Sequence, residues 1–545
     1  MYKFVIYQAL VRYFGNKNRT NAYYGSIEEN GSGKFNDIDD VALRALKDFG
    51  VDYMWYTGVI DHASMTDYTK HGIQMDDPDV VKGRAGSPYA IKNYYQVQPD
   101  LAVNVDERMA EYEALIKRTH ATGMKVIMDF IPNHVARTYH SEIENLGKDD
   151  ATNKSFDVLN DFYYLPNEQF VSPPDYHAGG DRFVHPLKDG KFEEFPAKAT
   201  GNNVFSATPS QNDWFETIKL NYGVDVLGGT KNFVPHPPVW EKMRNILAFW
   251  AGKGVNGFRC DMAELVPVEF WNWVITDLKK KFPDLIFIGE AYERGEYKNF
   301  LVNGKFDFLY DKVGLYDGLK RLITDDPNAS VNDITFVVQQ ESKGFAQHML
   351  RFLENHDETR IASTAFAGNP WLAVPGMVIT ATLAEGPLMI YNGQEVGEVA
   401  QGSEGFSGDD GRSSIFDYWG MPQHQNWMNN GAFDGELLSE DAKNLRLFYQ
   451  KLIQVSKTHE AIATGDFLAV LADHKVYAYV RYTIEKRVLI LTNFNRSSFE
   501  LNIHLPDQMS AYSFTDLLTG TVFTSEDGNY LKINMPATSA AILDF

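Results

Sequence analysis

Eight short apolar runs, most of them ending at polar residues, punctuate the first 457 residues and alternate with helix-like patterns. They lie at residues 3–11, 51–57, 125–131, 255–261, 285–290, 306–310, 349–354 and 387–391. Strands alternating with helices favour a parallel sheet. If that sheet closes into a barrel, strand ends far apart in sequence meet on one face. The intervening helices carry their own signals. Residues 41–49 read as a helix, and Asn104 suits an N-cap, with Glu107 three residues on and Gly123 as a stop. Met109, Tyr112 and Ile116 then share one face. Pro237-Pro238 fits a first turn, followed by Val239, Met243, Ile246, Leu247 and Trp250 on one stripe. The last barrel helix is expected at residues 441–455, through Leu445, Phe448, Leu452 and Val455.

Between residues 135 and 236 the periodicity fails, and Pro173-Pro174, Gly179-Gly180 and Gly228-Gly229 interrupt the chain. So long a stretch is improbable as a bare loop and reads as an inserted subdomain. Beyond residue 457 the helical period disappears, and alternating runs at 476–482, 488–493, 499–505 and 530–535 suggest an antiparallel sandwich. The expected architecture is α/β: a (β/α)8 barrel from residues 1–134 and 237–457, an inserted subdomain at 135–236 after the third strand, and a C-terminal antiparallel β-sandwich at 458–545.

A formal net charge of −22 argues against nucleic-acid or anionic-membrane partners, whereas a neutral polyol is indifferent to it. The single cysteine, Cys260, excludes an internal disulfide. The first residues are too interrupted for a signal peptide, and Glu385 and Pro387 break the apolar stretch 377–391, so no membrane span is expected. These features fit a cytoplasmic protein, and equally an exported one whose signal has been removed.

Seven residues stand out: Tyr89, His134, Arg259, Asp261, Glu290, His356 and Asp357. In the run 255–261, alternation puts Arg259 and Asp261 on one face, with Phe258 and Cys260 turned to the surrounding helices as packing. Burial alone would raise the pKa of Asp261; the nearby guanidinium is expected to oppose that and keep a nucleophile ionised. The plain alternative is a structural ion pair. Glu290 closes an apolar run, where apolar walls would suit it to general-acid work, although a carboxylate after a strand often only starts a helix. Residues 352–357 place further polar groups after another strand.

Asp129-Phe130-Ile131-Pro132-Asn133-His134, Gly257-Phe258-Arg259-Cys260-Asp261, Ile288-Gly289-Glu290 and Phe352-Leu353-Glu354-Asn355-His356-Asp357 resemble the four signature regions of the α-amylase family, glycoside hydrolase family 13, in its order. The segment 86–94 is similar to the family motif whose Tyr, here Tyr89, stacks on the reacting sugar, and 386–395 resembles its last barrel strand. The match covers residues 1–457, and the tail resembles the family's C-terminal β-domain. The resemblance implies that Asp261 is the nucleophile, Glu290 the acid/base and Asp357 a stabiliser of the distorted ring. His134 and His356 would hold sugar hydroxyls, and Arg259 would orient Asp261. It further implies retaining cleavage of α-1,4-glucosidic bonds in starch-derived maltooligosaccharides, with the two carboxyl groups about 5–5.5 Å apart. The same covalent intermediate passed to a sugar hydroxyl would give transglycosylation or isomerisation. A non-catalytic glucan-binding protein would be expected to have lost one of the three carboxylates, and the His/Asp clusters of a metal-dependent hydrolase are missing.

Two departures bear on subtype. Calcium-dependent relatives supply an Asp to the metal where this sequence has Lys219, in 217–221, with help from the position of Asn133. An ammonium cannot ligate a cation, so no calcium is expected at that shared position and no cofactor is required; an unrelated calcium site on the surface stays open. After the nucleophile the family often carries Lys-His; here Glu264-Leu265 stands instead. Both features are similar to the neopullulanase and cyclomaltodextrinase branch, whose members usually carry an extra N-terminal domain that has no room before the first strand here. Glu264 is expected either to contact the sugar beyond the scissile bond or to start a helix.

Overall fold

The computed structural model describes residues 3–400, 402 and 404–545. Eight parallel strands form its centre: β1 (Val5–Leu10), β2 (Tyr53–Thr57), β3 (Lys125–Phe130), β4 (Gly257–Cys260), β5 (Ile286–Gly289), β6 (Phe308–Tyr310), β7 (Met349–Leu350) and β8 (Leu388–Tyr391). Their order is β7-β6-β5-β4-β3-β2-β1-β8. A parallel bridge between Arg351 and Leu388 closes the barrel: the Arg351 amide donates to the Pro387 carbonyl at 3.1 Å, and the Met389 amide to the Arg351 carbonyl at 2.9 Å.

One main helix follows each strand: α1 (Asp40–Phe49), α2 (Arg108–Ala121), α3 (Pro238–Gly252), α4 (Val268–Lys281), α5 (Tyr297–Val302), α6 (Asp317–Ile323), α7 (Val374–Thr382) and α8 (Glu440–Thr458). Local chemistry sets their ends. Asp39 caps α1 by accepting from the Val41 and Ala42 amides, and Gly50 stops it at a φ of 113°. Asn104 caps a single 3₁₀ turn, Val105–Glu107, that leads into α2. The reciprocal contact expected of Glu107 is made by Glu111, whose carboxylate accepts from the Val103 and Asn104 amides at 2.9 and 2.7 Å. The intervening turn puts Glu111, and not Glu107, back beside the cap.

The strands are shorter than the apolar runs. β4 stops at Cys260, β5 at Gly289 and β7 at Leu350, so Asp261, Glu290, His356 and Asp357 sit just past strand ends, where loop backbone can aim them. Three excursions rise over that face. One, after β2, contains the antiparallel pair Ile60–His62 and Ile91–Val97. The second, between β3 and α3, is closed at its neck by His134–Ala136 pairing with Thr217–Lys219. The third follows β8 and contributes Ile415, Trp419 and Met421 to a small core with Leu10, Tyr13 and Tyr391.

The C-terminal region is a sandwich of eight strands: β9 (Asp466–Asp473), β10 (Val476–Tyr482), β11 (Arg487–Asn493), β12 (Phe499–His504), β13 (Ser513–Asp516), β14 (Val522–Thr524), β15 (Tyr530–Met535) and β16 (Ser539–Asp544). A six-stranded sheet, β9-β10-β11-β16-β13-β14, faces the pair β12-β15. Val476, Val480, Leu489 and Leu491 pack there against Leu501, Ile503, Leu531 and Ile533. Four of these strands gave no clear alternation: β13 and β14 are short, β16 is alanine-rich, and every interior residue of β9 is half-buried. The sandwich is fastened to the barrel by Arg481, which donates to the Leu383 carbonyl at 3.0 Å and to Glu385 at 2.8 Å. Among the described residues no helix is long and apolar enough to cross a membrane.

Candidate active site

The register of the barrel builds the site. β3 and β4 pair Asp129 directly with Arg259, and alternation puts Asp261 on the same face as Arg259. The Arg259 side chain is fully buried, and one guanidinium serves several groups. Nη1 donates to Asp261 Oδ1 at 2.9 Å and to Asp129 Oδ1 at 3.3 Å. Nε donates to the Tyr310 hydroxyl at 3.2 Å. Nη2 lies 2.7 Å from Glu290 Oε1, close enough for an ion pair although not in line for a hydrogen bond. Asp261 Oδ2 takes no hydrogen bond from the described residues.

Glu290 is held by two further donors. The Met262 amide reaches Oε2 at 2.8 Å, and the Tyr292 hydroxyl reaches Oε1 at 2.6 Å. Met262 follows Asp261 with a φ of 41°, a left-handed conformation that costs a non-glycine residue free energy and persists where surrounding structure enforces it. Here it turns the amide toward Glu290.

His356 and Tyr89 pack on each other, and of the two Tyr89 lines the cleft. Their rings stack with centroids 5.2 Å apart and planes 21° from parallel, and the Tyr89 hydroxyl also contacts His356 Nε2. His356 Nδ1 lies 2.8 Å from Gln8 Nε2, and Nε2 lies 3.1 Å from Asp357 Oδ2. The Asp357 side chain is still 41% exposed. His134 meets Asn133 Nδ2 through its Nδ1 at 3.0 Å and packs against the Trp214 ring at 5.3 Å. Tyr89, His134, Asp261, Glu290 and Asp357 line one cleft of about 280 Å³. Larger cavities exist elsewhere, including one of about 630 Å³ beside Asp61; the cleft is singled out by its chemistry, not its size.

Electrostatics follow from burial and crowding. Burial lowers the His134 pKa to about 3, helped by Lys219 and Lys82, and takes His356 well below the usual imidazole value, helped by Arg259. Both rings are therefore neutral, able to donate to and accept from hydroxyls. Asp129 is pushed up to about 6 by burial, against the pull of Arg259. Asp261 departs from expectation. Burial pushes it well above the ordinary carboxylate range, and the charges of Glu290, Asp357 and Asp129 add to that, outweighing Arg259. One guanidinium faces several carboxylates, and their mutual repulsion adds to burial in raising Asp261.

Glu264 lies outside this cleft. Its Oε2 accepts from the Tyr292 and Glu293 amides at 2.9 and 3.0 Å, and Glu264 itself lines a second cavity of about 550 Å³ with Lys219 and Leu265. Its carboxylate ties the 3₁₀ turn after β4 to the loop that carries Glu290, so the placement lends no support to a sugar contact. Lys219 lies below His134: its Nζ contacts Asn133 Oδ1 and is 3.3 Å from the Leu265 carbonyl. Burial lowers its pKa to about 7.

Several cleft residues carried no sequence signal. Trp214, Glu216 and Thr217 come from the aperiodic insertion, Lys82 from the first excursion, Ile415 and Phe416 from the third. Lys82 Nζ pairs with Glu216 Oε1 at 2.9 Å, nearly buried. Tyr292 lies two residues past Glu290, where side-chain alternation would have nominated it.

Comparison with known proteins agrees with this geometry. The family model described as "Alpha amylase, catalytic domain" matches residues 22–465, and "Maltogenic Amylase, C-terminal domain" matches 467–542. Alpha-amylase 3 of Dictyoglomus thermophilum is 24% identical over 453 residues, 78% of each chain. Neopullulanase 2 of Thermoactinomyces vulgaris is 20% identical over 459 residues, 84% of this chain and 65% of that one. The crystal structure of a maltogenic α-amylase from Thermotoga neapolitana superposes with a TM-score of 0.65 at 19% identity, covering 99% of this chain and 98% of the other. The chain belongs to the α-amylase family of enzymes acting on α-glucans.

Proposed function

We propose that this enzyme is a retaining hydrolase of α-1,4-glucosidic bonds in starch-derived maltooligosaccharides. The observation that carries this reading is one guanidinium holding Asp261 and Glu290 on its two terminal nitrogens beside a shared cleft, with Asp261 Oδ2 free. In the first step Asp261 Oδ2 attacks the anomeric carbon, the bond to the leaving oxygen breaks, and the proton held by Glu290 passes to that oxygen. In the second, Glu290 takes a proton from water, the water oxygen attacks the same carbon, and the ester to Asp261 is released. Asp357, with its partly open side chain, stabilises positive charge on the distorted ring. Tyr89 offers an apolar face, and the neutral imidazoles of His134 and His356 hold hydroxyls. All three carboxylates line the cleft, which favours catalysis over glucan binding alone.

The same reading assigns no calcium to the position the family shares. The Asn133 side-chain oxygen and the Leu265 carbonyl, ligands of the kind calcium takes, are in contact with Lys219 Nζ.

Incubation with maltoheptaose, pullulan and β-cyclodextrin, followed by NMR of the first products, tests this. Release of the α-anomer from maltoheptaose, at a rate a chelator does not change, is the expected result. The β-anomer would overturn retention, no product would overturn hydrolysis, and loss of rate with chelator would overturn the expectation that no cofactor is required.

A further inference from the structure

Away from the cleft, a cavity of about 630 Å³ lies between the first excursion and the insertion. Its floor is the antiparallel pair Ile60–His62 and Ile91–Val97, in which Asp61 sits opposite Asn93 and the register shifts on both sides of Asp61. Such bulges re-aim side chains and concentrate beside functional sites. Asp61 is 5% exposed, yet its carboxylate has neither a hydrogen bond nor an ion pair among the described residues, and it borders the cavity. Asn93 and Tyr95, two apart on the facing strand, share a side. The Asn93 Oδ1 is spent on the Tyr95 amide at 3.0 Å, which leaves its Nδ2 and the Tyr95 hydroxyl without protein partners among the described residues. Arg108 and the Phe192 ring complete the lining used here.

The charges narrow the ligand. Lys92 and Asp76 satisfy each other at 2.9 Å, and Arg137 is bound to Glu194. What is left facing the space is Asp61 and the exposed Glu142 against Arg108. That set repels a phosphate or carboxylate at Asp61. It also offers no cation cage: no group of three or more metal-ligating side chains occurs among the described residues. Burial pushes Asp61 up to about 7, so near neutrality its carboxyl both donates and accepts. A carboxyl, a carboxamide, a phenol and a guanidinium around one space, with an aromatic wall, match the hydroxyls and apolar face of a neutral sugar.

We propose that this cavity is a second carbohydrate site, which binds a glucosyl unit of an α-glucan through Asp61, Asn93 and Tyr95. The ligand class rests on the glucan specificity proposed above; the site does not depend on the cleft's mechanism. Calorimetry with maltotriose on the full chain carrying Asp261→Asn reads both sites, and two binding events are expected. Adding Asp61→Ala should weaken one of them by about tenfold or more. Tyr95→Phe, which removes only a hydroxyl, should weaken the same event and serves if the first variant fails to fold. A single event that neither substitution alters would overturn the proposal, as would no binding at all. Turnover of maltoheptaose by the unsubstituted enzyme reads the cleft alone, so failure there would sink the hydrolase reading while an event sensitive to Asp61 would still stand.

Discussion

Two buried guanidinium centres in this barrel have opposite characters. At Arg360 the ion pair with Glu354 is hydrogen-bonded on both sides and closed off from any cleft. The Arg360 Nη1 donates to Glu354 Oε2 at 2.9 Å and to the Asn392 carbonyl, its Nε to Ser413, and Glu354 Oε1 accepts from the Ile361 amide at 2.6 Å. Both side chains are at most 2% exposed. Around Arg259, Asp129, Asp261 and Glu290 crowd one cation, and Asp261 Oδ2 is left free beside a cleft. Burial raises carboxylate pKa values in both places, taking Glu354 to about 7. A raised pKa therefore does not separate a structural centre from a catalytic one. Carboxylates that line an open cleft, one with an oxygen free to meet a ligand, do.

Removing the cation tests the contrast. Arg259→Met should lower kcat by about a thousandfold or more, because the carboxylates lose the donor that positions them. Its stability cost should be smaller, since the cluster can take up protons and meets water through the cleft. Arg360→Met should do the reverse, costing roughly 3–5 kcal/mol in denaturant unfolding because Glu354 is left sealed and unpaired, with kcat of the folded fraction little changed. Equal effects of the two substitutions on both readouts would erase the distinction.

Asp61 sharpens the comparison from a third direction: a buried carboxylate with no hydrogen bond or ion pair among the described residues. Its folded pKa, about 7, lies above the ordinary 3.8. Between those values the folded state binds the extra proton, so its contribution to stability is present at low pH and is lost as pH rises toward 7. Asp61→Asn should nearly match the parent enzyme in unfolding experiments at pH 4 and exceed it by about 4 kcal/mol at pH 8. No difference between the two pH values would mean that Asp61 carries no such burden.

The barrel and its central residues were legible because a strand's two-residue period is strict. Once Arg259 faces inward Asp261 must too, and a carboxyl ending an apolar run, as Glu290 does, sits at a strand mouth. The insertion defeated the same reasoning. Trp214 and Glu216 reach the cleft from a turn fixed by the Thr217 amide and hydroxyl on the Trp214 carbonyl, both at 2.9 Å, and by a Trp214 φ of 47°. Neither signal has a period. Glu264 was ambiguous for a related reason: a polar residue one turn past a strand can face a cavity or fasten a loop, and its bonds to the Tyr292 and Glu293 amides leave no period in the sequence. The pKa of Asp261 runs opposite to the expected direction because burial outweighs Arg259, and the charges of Glu290, Asp357 and Asp129 add to burial.

The central claim is that Asp261 attacks the sugar while Glu290 manages the proton. Glu290→Gln, treated with α-maltosyl fluoride, isolates the first half: fluoride leaves without an acid, and water then lacks its base. Intact-mass measurement followed by peptide mapping should find one maltosyl group esterified to Asp261. An active parent enzyme whose variant carries no adduct, or carries it on another residue, would contradict the account.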